Sequence, residues 1–214
     1  MTEGEYLKGG FFLLALLSLA ITLWVNYRID QTTKRVWHIF ATARDWSYAE
    51  IARQLEVLGL HHGAQVSLVT EYRHQGRGAQ RVAVLRVDMS DILPSSLHLE
   101  PKHFLDRVLQ VFDKKDNEVG DQQLDAALYL KDLTPEVRAY VVAPQVKESL
   151  LRVSKGYRHF VIIGGLLEVT YHRGVPFTAV DLEKFVAPAL AFVDALRTAV
   201  NPTAVSELHP AQRG

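Results

Sequence analysis

Apolar and polar positions follow three rhythms along this chain, and each rhythm predicts a different kind of element. The first is a solid run. Phe11 to Val25 is fifteen residues without a charge, broken only by Ser18 and Thr22, and Gly9, Gly10, Asn26 and Tyr27 extend the uncharged stretch to nineteen. A bilayer core about 30 Å thick takes roughly twenty helical residues to cross. The run is apolar on all sides rather than striped, unlike a helix that buries one face. Trp24 and Tyr27 stand at one end, where interfacial aromatics belong. The run predicts a transmembrane anchor over 11–27 behind a tail of residues 1–10. Its lipid-facing residues are Phe11, Phe12, Leu13, Leu14, Leu16, Leu17, Leu19, Ile21, Leu23, Trp24 and Val25. Glu3 and Glu5 beside a single Lys8, with no small-x-small site after the run, favour an uncleaved signal-anchor over a signal peptide. Arg28, Lys34 and Arg35 outnumber Lys8 and the terminal amine, so the C-terminal part is expected on the cytoplasmic side of a bacterial inner membrane.

The second rhythm has helical spacing. Ile29, Val36, Phe40 and Ala43 recur at intervals of seven, four and three, which predicts that the anchor helix continues as a stalk over 28–45. Such a seam can pair two copies, but with fewer than three heptads it more readily packs on its own domain. Ser47 and Glu50 match a capping box. The stripe Ile51, Leu55, Leu58 then predicts a helix ended by Gly59, with Trp46 stapled onto Ile51 or its neighbours. Phe104, Leu105, Val108, Leu109 and Phe112 predict a helix over 102–112. Thr134, Pro135 and Glu136 open another with Val137 and Val141 inward; Pro144 interrupts it, and Val146, Leu150 and Val153 carry a second segment to Gly156. Thr178 and Asp181 form a further capping box ahead of a helix from Leu182 to Val200. That helix carries Phe185, Ala189, Val193, Leu196 and Val200 on one stripe and a kink at Pro188, and Asn201 and Pro202 stop it before a frayed tail over 201–214.

The third rhythm is strict alternation. A loop at Gln75 to Gly78 pairs Val66 with Val87, Leu68 with Leu85 and Thr70 with Ala83, while Ser67 with Arg86 and Gln65 with Asp88 fall on the other face. Val69 and Val84 meet on that polar face, so part of it should be covered. Pro94 to Pro101 holds a short extended piece with Leu97 and Leu99 on one side, and Leu128 and Leu130 read as a strand. From Tyr157 to His172 the turn Gly164-Gly165 sets Phe160 beside Val169 and Ile162 beside Leu167. Both faces of this hairpin are apolar, which predicts a central pair of strands. The expectation is one α+β domain over 46–200, of mainly antiparallel hairpins with helices packed on one side.

Composition narrows the function. Lysine plus arginine equals aspartate plus glutamate at 24 each, so no global field favours nucleic acid. The absence of cysteine excludes thiol nucleophiles, disulfides and cysteine-based zinc sites. Arg73, Arg77, Arg81 and Arg86 make one hairpin locally basic, as a solvated strand face or against anionic lipid headgroups.

Nine histidines invite a metal hypothesis. His98, Glu100 and His103 do not make H-E-x-x-H, because Pro101 intervenes, and His98-Leu99-Glu100 lacks the cysteine pair of the zinc deaminases. His61 and His62 follow an expected helix end, where an imidazole suits the dipole. Asp113, Asp116, Glu118 and Asp121 fail as a calcium loop, since Lys115 takes the third position of one register and Asp121 the glycine position of the other. No nucleophile elbow, Walker loop or dinucleotide fingerprint is present, and Gly76, Arg77 and Gly78 lie in a hairpin loop rather than before a helix. Neither a metal nor a cofactor is expected. Asp121 and Asp125 share one face of a helical turn and are the candidate acid and base of a hydrolase; their plainer role is to cap that turn.

Gly120, Asp121, Leu124 and Asp125 sit within an order of elements that resembles a loose group of uncharacterised bacterial membrane-anchored proteins. Those carry G-D-x-x-F-D, and Leu124 departs from it. The resemblance implies no activity and no functional residue. The leading expectation is a membrane-anchored, non-enzymatic binding or assembly module with a protein partner besides the bilayer, and with self-association through the stalk as an option. The alternatives are a hydrolase of unfamiliar type using Asp121 and Asp125, and an envelope-side sensor.

Overall fold

The computed structural model of the chain describes residues 3–75, 78–102, 118–157 and 159–201, with the backbone alone for residues 3–11, 13 and 75. Eight strands form one sheet: β1 (Ser47–Ile51), β2 (Gln54–His61), β3 (Ala64–Gln75), β4 (Gly78–Asp88), β5 (His98–Pro101), β6 (Leu128–Lys131), β7 (His159–Ile163) and β8 (Leu166–Thr170). Their spatial order is β1-β2-β3-β4-β8-β7-β5-β6, and every pairing is antiparallel. The helices are α1 (Glu3–Thr42), α2 (Gln122–Ala127), α3 (Pro135–Val142), α4 (Pro144–Gly156) and α5 (Ala179–Val200). The architecture is the expected α+β type.

The hairpin registers are those expected from the alternation of β3 and β4 and from the Gly164-Gly165 turn. Val66 pairs with Val87, Leu68 with Leu85 and Thr70 with Ala83, and on the next hairpin Phe160 pairs with Val169 and Ile162 with Leu167. Gln75 pairs directly with Gly78, so each strand runs one residue further than a four-residue loop allows, in unchanged register. Gly164 and Gly165 take φ of 62° and 81°, the left-handed pair a two-residue hairpin turn requires. β8 and β7 occupy the fifth and sixth places in the sheet, as their two apolar faces imply.

Three helix starts are also as read. Thr134 Oγ1 accepts from the Val137 amide and Thr178 Oγ1 from the Asp181 amide at 3.1 Å, while Pro144 takes the first turn of α4. α5 buries Leu182, Phe185, Ala189, Val193 and Leu196 and passes through Pro188 without ending. The helix expected over 102–112 lies outside the described residues beyond Lys102, as do His103, Asp113 and Asp116.

The helix expected from Ser47 to Gly59 is a β-hairpin instead. Ile51, Leu55 and Leu58 fit a helical stripe, but Ile51 and Leu58 are exposed while Leu55 and Val57 are fully buried, which is the period of a strand. Ala52 and Arg53, at φ 49° and 70°, make the two-residue turn between β1 and β2. Ser47 caps no helix; its hydroxyl donates to the Leu58 carbonyl across the hairpin. Trp46 does not staple onto Ile51. Its indole lies over Gly59, where a Cβ would come within 2.1 Å of the ring, and Nε1 donates to the Leu60 carbonyl at 3.1 Å. Gly59 is glycine because an aromatic ring occupies the space of a side chain, not because a helix ends there.

The C-terminal part of α1 belongs to the domain. Thr33, Trp37, Phe40 and Ala41 are buried, and Trp37 Nε1 donates to the Pro176 carbonyl at 3.0 Å. The expected seam is displaced: Ile29 and Ala43 stay exposed, Val36 is half-buried and only Phe40 of the four is buried. These residues join one core with Leu55, Val57, Leu68, Leu85, Phe160 and the buried stripes of α4 and α5. Each large side chain so buried contributes about 1.5–3 kcal/mol.

Candidate functional site

The N-terminal part of α1 contrasts with the docked part. Among its described side chains Phe12, Leu14, Leu16, Leu17, Leu19, Ile21, Leu23 and Trp24 are each 47–65% exposed. At 100° per residue these positions spread over more than half of the helix circumference, wider than the one stripe that a packed helix buries. Among the described residues, no helix is long and apolar enough to cross a membrane, so the transmembrane anchor expected over 11–27 finds no support there.

Asp121 and Asp125 lie together in one corner, but both carboxylates already hold backbone donors. Asp121 is the N-cap of α2, accepting from the amides of Gln123 at 3.0 Å and Leu124 at 3.2 Å, and Lys147 Nζ binds its second oxygen at 2.5 Å. The lysine first, then the Leu124 amide, hold the Asp121 carboxyl below its ordinary range. Asp125 reaches back over the cap, its two oxygens accepting from Val119 N at 2.7 Å and Gly120 N at 3.0 Å. Lys102 Nζ donates to the Asp125 carbonyl. The pair closes the turn into α2, with Gly120 at φ 86° supplying the bend.

The basic hairpin finds its counter-charges within the fold. On the sheet face away from the core, Arg73 binds Glu71 at 2.6 Å and Glu168 at 2.7 Å, and Arg86 binds Glu168 at 2.7 Å and Glu71 at 3.0 Å. This closed ring of four charges spans β3, β4 and β8, with Val84 fully buried on the same face. Burial works to raise the Glu168 carboxyl, but hydrogen bonds from both guanidinium groups outweigh it and hold it low. Arg81 lies on the other face against Asp30 at 3.5 Å and the Arg53 carbonyl at 2.7 Å. Arg77 lies outside the described residues.

His98 Nε2 stands 3.4 Å from Glu100 Oε1, and the ring meets Tyr129 edge-on at 6.4 Å. The two do not converge with a third ligand among the described residues. A convergence occurs elsewhere. β2 ends at His61, and His62 (φ 48°) and Gly63 (φ 86°) form the two-residue turn to β3, since His61 pairs with Ala64. Neighbouring side chains on a strand point to opposite faces. The left-handed turn at His62 brings its ring back instead, stacked on His61 with centroids 4.4 Å apart.

Both rings meet Asp194 of α5. His61 Nε2 and His62 Nδ1 each donate to Asp194 Oδ1 at 2.8 Å, and one ligand atom from each of the three residues lies within 4.8 Å of the others. The cluster opens on a surface cavity of about 400 Å³ that also reaches Trp46, Leu60 and Glu183, the last paired with Arg44 at 2.5 Å. Sequence reading missed it for two reasons. A helix assigned to residues 47–59 turned the histidines into helix-end residues, and Asp194 is more than 130 positions away on another element. The available signal was the adjacent pair of histidines followed by glycine. No protein-family model matches the chain, and neither a curated protein nor a solved structure is detectably similar to it.

Proposed function

We propose that the protein is a membrane-anchored, non-enzymatic binding or assembly module, its domain held on the cytoplasmic face of a bacterial inner membrane. The observation that carries this reading is the contrast along α1. The described large apolar side chains between Phe12 and Trp24 are exposed, while the same unbroken helix buries Thr33, Trp37, Phe40 and Ala41 in the domain. Leaving that segment in water costs on the order of 10 kcal/mol, which transfer to lipid removes. Only eight residues lie between Trp24 and Thr33, a rise of about 14 Å along the helix. That short spacing supports a domain held against the bilayer by a rigid hook rather than a flexible tether. Arg28, over the Trp24 ring at 5.6 Å, supports an interfacial level on the domain side.

Fractionation with alkaline extraction tests the anchor: the full-length protein should stay in the membrane pellet, and recovery in the soluble fraction overturns the reading. Reporter fusions to the C-terminus test the side, and affinity capture from solubilised membranes tests for the protein partner. The backbone bonds of Asp121 and Asp125 support a structural role over the hydrolytic alternative. Asp125→Ala that abolishes a turnover while leaving the fold intact would restore the enzyme reading.

A further inference from the structure

We propose that His61, His62 and Asp194 form a binding site for a borderline divalent cation, zinc above all, which clamps the β2–β3 turn to α5. Three observations converge on it. The donor set is two imidazole nitrogens and one carboxylate, with ligand atoms within 4.8 Å of one another. Zinc and its neighbours in the first transition row take such a set, whereas calcium and magnesium require mostly oxygen donors and soft cations prefer sulfur.

Geometry is the second. Donors bound to zinc at 2.0–2.1 Å in tetrahedral arrangement lie about 3.3 Å apart. The two nitrogens already stand 2.8 Å from the same carboxylate oxygen, each through a proton that a cation would replace. Coordination would open these two contacts by about half an ångström, and the His62 and Asp194 side chains, 69% and 40% exposed, have room to turn.

Third, the backbone is arranged for convergence. His62 adopts φ 48°, a conformation that costs a non-glycine residue about 1–2 kcal/mol. Asparagine or aspartate is the usual choice at that turn position. The left-handed histidine places its ring beside His61 rather than on the opposite sheet face. The Leu60 carbonyl next to the pair is held by the Trp46 indole, and Asp194 sits within a long helix. The adjoining cavity leaves the remaining coordination positions to water. A plain hydrogen-bonded staple needs only one histidine to join the turn to α5; the second ring supplies the third donor of a chelate.

Full-length protein stripped with chelator and titrated with zinc should bind one equivalent through this site. Cobalt in its place should give visible absorption of nitrogen and oxygen ligation. His61→Gln, His62→Asn and Asp194→Asn should each weaken zinc binding by at least about tenfold and abolish the zinc-dependent rise in thermal midpoint. His62→Asn creates an Asn-Gly turn, so the metal-free protein should be at least as stable as the parent while losing the metal. Dissociation constants weaker than about 100 µM, or binding that these three variants leave intact, would overturn the site.

Discussion

Gly59→Ala adds one methyl group where Trp46 lies. The new Cβ would stand 2.1 Å from indole Cδ1, 2.2 Å from Cγ and 2.6 Å from Nε1, so the ring has to move. Its room to do so is small. Trp46 is buried, Phe40 meets it edge-on at 6.0 Å, the Arg44 guanidinium stands 5.8 Å from its centre, and Nε1 is bonded to Leu60. Overpacking of this kind costs about 1–3 kcal/mol, and breaking the indole hydrogen bond adds about 0.5–1.5 kcal/mol. The expected loss is about 2–4 kcal/mol, or a fall of roughly 1–2 M in urea midpoint.

The assay is urea unfolding of the full-length protein followed by tryptophan emission, with two controls. Gly78→Ala, where an added Cβ meets nothing within 4 Å, should change stability by no more than about 0.5 kcal/mol. On a Trp46→Ala background, which itself loses about 3–5 kcal/mol, Gly59→Ala should cost almost nothing because the ring it collides with is gone. Additive losses in the double variant would refute the steric account and return Gly59 to a backbone role.

Further outcomes follow from the same structure. Asp125→Ala leaves two amides without their acceptor and should destabilise the protein by about 1–3 kcal/mol in thermal or urea unfolding. Gly165→Ala should cost more than Gly164→Ala, because its Cβ meets Ser90 Cα at 2.6 Å whereas the nearest atom to the other is Ser95 O at 3.7 Å, both residues being left-handed. Trp37→Ala should lose about 3–5 kcal/mol and loosen α1 from the domain, read as new proteolytic cleavage near residue 33. Burial first, then the nearby Arg73 guanidinium, lowers the His159 imidazole below its ordinary value, with Glu168 and Glu100 opposing. The unfolded chain therefore binds a proton that the folded one resists, and stability should fall as pH drops through about 6.5 toward the depressed folded value. His159→Gln should flatten that slope between pH 7.5 and 5.5; an unchanged slope would refute the assignment.

Where one signal was enough, it lay within a few neighbouring residues. Thr134-Pro135, Thr178 with Asp181, and Gly164-Gly165 each satisfy or strain the backbone locally, so the sequence by itself determined those starts and that turn. Alternation likewise determined the β3–β4 register, because a slip of one residue would turn its apolar side chains outward, while the two-residue Gly164-Gly165 turn determined that of β7–β8. Tertiary structure decided what two local rhythms left open. Ile51, Leu55 and Leu58 satisfy helix and strand alike, and β2 became a strand through pairing with β3 and through the ring of Trp46 over Gly59. It also decided the charge partners: Glu168 reaches Arg73 and Arg86 from a strand more than 80 positions downstream. The meeting of His61 and His62 with Asp194 has the same origin. Periodicity and caps act over a turn or two of chain, whereas the geometry of a site depends on which distant elements pack together, and no local pattern encodes that distance.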